Sequence, residues 1–349
     1  MRVLHLPIVI CNQPWEISRA LRRIGVEADY MILDDNDAGW VMPGRADYNL
    51  NVYHRSGKDY PYKILFDKQS FFLKALFKYD VFHYHSNYPI FDNFYDLKIL
   101  KKLGKKIVVS YWGCDIRLRS INSKYQYSSC DFCIVSCREK EKNRRKNIFA
   151  RYANLKIAHG PELLEYAPPK SMLLPLFIDT NFWQASSNFP KKKQETFKIF
   201  HSFGNMKDRG DIRSTKEIRK AVSQLKKEGK KIDFVFYDKV PNRELKKFYE
   251  QVDIVVTQLN YGTYGLTALE GMALEKPVIA YIREKYKKYF PDLPIIDANP
   301  DNILKVLRRV IEDKNKLAEI GKKSRQFVCQ YHDSEILAKK LYQMYKSLY

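Results

Sequence analysis

Thr257 to Ala280 reads TQLNYGTYGLTALEGMALEKPVIA. Gly262 and Gly265 loosen a loop, Leu266 to Leu274 has the composition of a helix, and Pro277 forces the turn before an apolar strand, Val278 to Tyr281. Where a loop runs into a helix the first backbone N–H groups have no partner within the helix. Gly265, Leu266 and Thr267 are therefore placed to hold an anion. Glu270 follows about one turn later, where a carboxylate can accept hydrogen bonds from a ribose. Amides for a diphosphate and a carboxylate for sugar hydroxyls suit a nucleotide ligand. The plainer alternative is an amphipathic helix packed on a sheet, with Glu270 exposed.

Outward from this stretch, short apolar runs alternate with longer amphipathic ones, the pattern of parallel sheets with crossover helices. In the first half, strands are expected at 3–10, 28–33, 81–84, 106–111, 156–158 and 172–174, with helices at 17–24, 69–77, 94–103 and 138–152. In the second half, strands are expected at 197–201, 233–237, 254–257, 278–281 and 294–296, with helices at 216–228, 242–250, 265–274, 300–312, 314–330 and 334–348. Core periodicity stops at 178–193, IDTNFWQASSNFPKKK. Two α/β units follow from this, and the space between them, beyond the carboxyl ends of the strands, is the expected site.

The segment Gly262-Thr263-Tyr264-Gly265-Leu266, Glu270-Gly271-Met272-Ala273, Glu275-Lys276-Pro277-Val278-Ile279-Ala280 resembles the donor-binding segment of family 4 glycosyltransferases. These are retaining enzymes of the GT-B fold, with two Rossmann-like domains. Their pattern is Glu-Pro-Phe-Gly-Leu, Glu-Ala-Met-Ala, Gly-Lys-Pro-Val-Ile-Ala. The first glutamate of the family's acidic pair falls on Gly262 and the second on Glu270. Pro175-Leu176-Phe177-Ile178-Asp179 resembles the family's domain junction. The resemblance implies an acceptor-binding domain over 1–180, a donor-binding domain over 194–330, and a last helix over 331–349 packing back on the first domain.

A transferase of this kind must stabilise a leaving diphosphate, which cations and helix amides do without a metal. In the loop after the strand at 197–201, the resemblance places the diphosphate on Arg213, with Arg209 and Lys207 in support; Ser214 stands where the family has Gly. Base recognition falls by position on the backbone near Val240. The acceptor candidates are Asn12 and Gln13 after the first strand, His85 in VFHYHSN, and Trp112 and Asp115 in YWGCDIR. His85 reads equally as a hydrogen-bonded structural histidine, and Asp115 as a cap. Trp112 stands where the family often has His and cannot shuttle a proton. The resemblance implies a front-face reaction in which a donor phosphate oxygen takes the acceptor's proton.

Cys114, Cys130, Cys133 and Cys137 have spacing suited to a structural zinc; the alternative is that Cys133 and Cys137 are small buried hydrophobes. The chemistry itself requires no cofactor. Cys11 and Cys329 read as core residues.

The 349 residues carry a net charge of +22 shared by both halves, which favours anionic partners. No apolar run reaches the ~18 residues of a membrane span. The start, MRVLHLPIVICN, reads as a core strand and not a signal peptide, so a cytoplasmic location is expected. Aromatics and lysines alternate at helical spacing over 61–78, a pattern for a helix at an anionic membrane face or for one half-buried in a domain. The expected activity is transfer from a nucleotide sugar to a glycan or lipid-linked acceptor, in cell-surface polysaccharide synthesis by analogy. A nucleotide-sugar epimerase or hydrolase on the same fold is the alternative. A polyanion binder ranks last, since no nucleic-acid module is recognised.

Overall fold

The structure is a computed structural model that describes residues 1–33, 46–50, 52, 60–185, 196–203, 206–238, 242–313 and 315–349. In chain order its elements begin β1 (Arg2–Leu6), α1 (Gln13–Arg23), β2 (Glu27–Ile32), β3 (Tyr48–Asn49), α2 (Tyr60–Lys78), β4 (Val81–His85), α3 (Tyr95–Lys102), β5 (Lys106–Tyr111), α4 (Arg119–Asn122), α5 (Glu139–Tyr152), β6 (Leu155–Ala158) and β7 (Met172–Leu173). They continue with β8 (Phe197–Phe203), α6 (Met206–Arg209), α7 (Thr215–Lys227), β9 (Ile232–Asp238), α8 (Asn242–Glu250), β10 (Ile254–Val256), α9 (Leu266–Ala273), β11 (Val278–Ala280), α10 (Glu284–Lys287), β12 (Ile296–Asp297), α11 (Ile303–Glu312), α12 (Asn315–Tyr331) and α13 (Ser334–Lys346).

Unit 1 comprises Met1–Arg117, Arg138–Phe177 and Ser334–Tyr349. Its seven strands run parallel in the order β3-β2-β1-β4-β5-β6-β7. Order reverses between β1 and β4, the switch point where a crevice opens in such sheets. On one face α1 and α13 cover the sheet, with Ile17, Leu21, Leu337, Leu341 and Tyr345 packed on Val3, Val81, Val108 and Ile157. The final helix thus completes the core of the first unit.

Unit 2 comprises Leu118–Cys137 and Ile178–Asp333. Its five parallel strands run β12-β11-β10-β8-β9, with the switch between β8 and β10. The apolar runs Ile254–Val256 and Val278–Ala280 are buried on both faces, as central parallel strands require. Lys276 Nζ donates to the carbonyls of Glu250 (3.1 Å) and Val252 (2.8 Å), closing the end of α8.

Residues 118–137, expected inside the first domain, pack with unit 2 instead. Arg283 explains this. Its guanidinium lies 3.7 Å from the Tyr125 ring centre and donates to the Tyr127 carbonyl at 2.9 Å. The Tyr127 hydroxyl in turn donates to Asp301, and the Ile134 amide to the Arg209 carbonyl at 3.2 Å. Gly210 permits that approach: at φ +77, a Cβ there would stand 2.2 Å from the Phe132 carbonyl oxygen.

Candidate functional site

At the unit 2 switch point the loop after β8 meets the start of α9. Two helices begin here and they differ. The first amides of α7 are already taken, because the Asp211 carboxylate accepts from Thr215 N (2.7 Å) and Lys216 N (2.9 Å). At α9, Ala268 and Leu269 bond back to the Gly265 carbonyl, while the amides of Gly265, Leu266 and Thr267 donate to no group among the described residues. Only the second start is therefore set for an anion.

Arg213 is fixed beside it. Its Nη1 donates to the Ser202 carbonyl (2.7 Å) and lies 3.2 Å from Thr267 Oγ1, so a cation stands at the first turn of α9. Glu270 is buried one turn further. Its Oε2 accepts from the Tyr249 hydroxyl at 3.0 Å, and the same hydroxyl is 3.2 Å from the Thr267 carbonyl. Tyr249, fully buried, is a supporting residue that the sequence did not single out. Lys207 and Arg209 are exposed on α6, and Val240 lies outside the described residues.

Gly262 accounts for the missing first glutamate. Its φ is +77, and a Cβ there would lie 2.6 Å from the Arg283 side chain. The loop is also held by Arg283 N to the Gly262 carbonyl (3.0 Å) and Gln258 Nε2 to the Thr263 carbonyl (2.9 Å). A side chain at 262 is excluded unless Arg283 moves.

In unit 1 the acceptor candidates divide. Gln13 has both ends of its amide bonded to the Phe177 backbone at 2.9 Å, so it is a structural clamp. Asp115 accepts from Trp112 N and from Gly113 N at 2.6 Å. Burial raises its pKa against these bonds. It holds its own turn. Arg117 pairs with Glu162 at 3.2 Å in the interior. By contrast, the Asn12 Oδ1 atom, after β1, and the Trp112 Nε1 atom, after β5, are buried with no hydrogen bond among the described residues. So are both amide atoms of Asn87, which follows β4 and is 2% exposed. Asn87 was missed by the sequence reading. The signal for it was its place two residues past His85, at the same strand end. Trp112 stacks on His159 with ring centres 3.7 Å apart.

His85 lies deeper, fully buried, with Nε2 3.0 Å from His5 Nδ1. Whichever ring donates, His5 Nε2 and His85 Nδ1 have no hydrogen bond. His83 bonds the Tyr345 hydroxyl (2.6 Å) and Ser110 (2.7 Å), and His159 also reaches Ser110 (2.9 Å). Burial holds His5 and His159 down at about 3, and burial plus neighbouring imidazoles hold His83 and His85 well below the usual range. His5, His83 and His85 have ligand atoms within 4.8 Å of one another, the one such grouping among the described residues. With both nitrogens of His83 bonded, the group reads as a neutral core.

The cysteines form no such grouping. Cys114 belongs to unit 1, its Sγ 4.0 Å from Arg117 Nη1, while Cys130, Cys133 and Cys137 belong to unit 2. Arg119 Nη2 donates to the Cys133 carbonyl at 2.7 Å and fixes that turn by its backbone. Cys11, expected in the core, is exposed at φ +44.

No curated protein matches the chain in sequence. Sucrose-phosphate synthase from Thermosynechococcus elongatus is similar in structure, with TM-score 0.67 and 15% identity over 100% of this chain and 99% of that one. Anabaena HepE in complex with UDP-glucose gives TM-score 0.67 and 12% identity over 99% and 100%. A UDP-N-acetylglucosamine 2-epimerase gives 0.54 and 11% over 97% and 93%. The fold is GT-B, with two Rossmann-like units. Residues 210–327, which hold Arg213, the start of α9 and Glu270, match the family model of glycosyl transferases group 1.

Proposed function

We propose that the protein is a retaining glycosyltransferase that moves a sugar from a nucleoside diphosphate sugar, a uridine one by likeness to the UDP-glucose complex, to a glycan or glycolipid acceptor. One observation carries this: a fixed guanidinium, three available amides and a buried carboxylate converge on the first turn of α9. The diphosphate lies on Gly265, Leu266 and Thr267 and against Arg213, with Lys207 and Arg209 adding positive charge. Glu270 takes the ribose hydroxyls. As the bond from the anomeric carbon to the diphosphate oxygen breaks, charge builds on that oxygen, and Arg213 and the amides stabilise it. The acceptor hydroxyl attacks from the same face and gives its proton to a phosphate oxygen. Asn12, Asn87 and Trp112 offer neutral hydrogen bonds and a stacking face suited to a sugar.

Calorimetric titration with UDP, followed by a screen of UDP-sugars, tests the reading. UDP is expected to bind, and Arg213→Ala to weaken it about tenfold while lowering transfer about 10²- to 10³-fold. No binding of any nucleoside diphosphate would end the proposal. The similarity to an epimerase keeps a second reading open. Donor turnover at full rate without acceptor would favour it.

A further inference from the structure

Helix α2 carries five apolar side chains in the open. Tyr62, Leu65, Phe66, Leu73 and Phe77 are 77%, 47%, 68%, 57% and 84% exposed. At the helical period they fall in one stripe about 120° wide. Phe72 and Ala75, each 3% exposed, lie beyond the Leu65 edge of the stripe and face the core. Lys63 and Lys74 are exposed along one edge of the stripe. The whole helix, YPYKILFDKQSFFLKALFK, has four lysines and one acidic residue, Asp67.

An exposed apolar band of this extent calls for a partner. It is not a span, for no helix among the described residues is long and apolar enough to cross a membrane. A second copy packed stripe to stripe would set lysine-rich helices against each other. An anionic lipid surface matches both properties, since it takes aromatic side chains at headgroup depth and gathers lysines on its phosphates. We propose that α2 lies in the interface of an anionic bilayer, with Phe66 and Phe77 inserted and Lys63 and Lys74 at the headgroups. This stands apart from the sugar-transfer reading.

The test is co-sedimentation of the full chain with phosphatidylcholine vesicles, with and without phosphatidylglycerol, at low salt. Binding is expected to the anionic vesicles and to decline with added salt. The double substitution Phe66→Ser, Phe77→Ser should lower the partition constant about 100-fold, with melting temperature and UDP affinity retained. Lys63→Glu with Lys74→Glu should lower it about tenfold or more. No binding to anionic vesicles overturns the proposal. Binding that ignores the phenylalanine pair also overturns it, since the basic surface at large would then be responsible. A concentration-dependent dimer that the same pair abolishes would give the stripe to a second copy and likewise overturn it.

Discussion

In unit 1 the carboxyl ends of β1, β4 and β5 gather neutral polar groups over a bed of uncharged histidines. In unit 2 the carboxyl ends of β8 and β10 gather a guanidinium and bare amides. The two sheets share parallel strands and a switch point, so topology does not separate them. Charge does. A core that keeps His5, His83, His85 and His159 unprotonated is a poor host for an anion but suits a neutral sugar. Unit 2 puts fixed positive charge, Arg213, at the first turn of α9.

Acid should break this symmetry most strongly. A histidine near 6.5 when unfolded but far lower when folded binds protons first in the unfolded state. Stability is complete above 6.5 and falls as pH drops toward the folded pKa, by about 1.4 kcal/mol per pH unit for each group. Among the described residues unit 1 has four such histidines, with His5 and His159 at about 3, while in unit 2 His201 sits at about 4. Asp96 in unit 1, pushed up to about 6 by burial, acts oppositely, gaining stability as pH falls from 6 toward its ordinary value. Asp115, also raised by burial, acts in the same direction as Asp96, and two carboxyls do not offset four imidazoles. Hydrogen exchange from pH 7 to pH 4.5 should therefore show unit 1 losing protection first. Loss of protection in unit 2 at the same pH would mean that the histidines are hydrated more readily than their burial indicates.

A smaller effect sharpens the unit 2 side. If Glu270 holds the ribose, 2′-deoxy-UDP should bind about tenfold more weakly than UDP, roughly 1.4 kcal/mol. Glu270→Ala should weaken UDP and erase the difference between the two nucleotides. Persistence of the difference in the variant would move ribose recognition elsewhere.

How much of this was legible depends on the kind of signal. Buried parallel strands and the helix start at Gly265 were legible because composition and breakers report them directly. Tyr249 was not, since its role comes from a contact 21 residues away with Glu270. Gln13 and Asp115 looked like site residues because polar groups at strand ends often are. Their hydrogen bonds, to Phe177 and to the Trp112–Gly113 turn, are tertiary facts. Short elements such as β3 and α6 were also missed, being too brief to show a period.

The finest distinction concerns two departures from the family pattern. Ser214 and Glu275 stand where glycine is usual, and both adopt the left-handed conformation, at φ +64 and +58. The backbone has kept the glycine geometry while the side chain changed, at a cost of about 1 kcal/mol each. Ser214→Gly and Glu275→Gly should each raise stability by about 0.5 kcal/mol, seen as a higher urea midpoint, part of the relief being lost to the freer unfolded chain. Affinity for UDP should not change if both positions are scaffold. Ser214 is the sharper case, because its hydroxyl is buried without a hydrogen bond beside Arg213. A drop in UDP affinity in Ser214→Gly, with Glu275→Gly unaffected, would assign that hydroxyl to the ligand. Unit 2 would then offer a neutral donor alongside its cations, and the contrast with unit 1 would be one of degree.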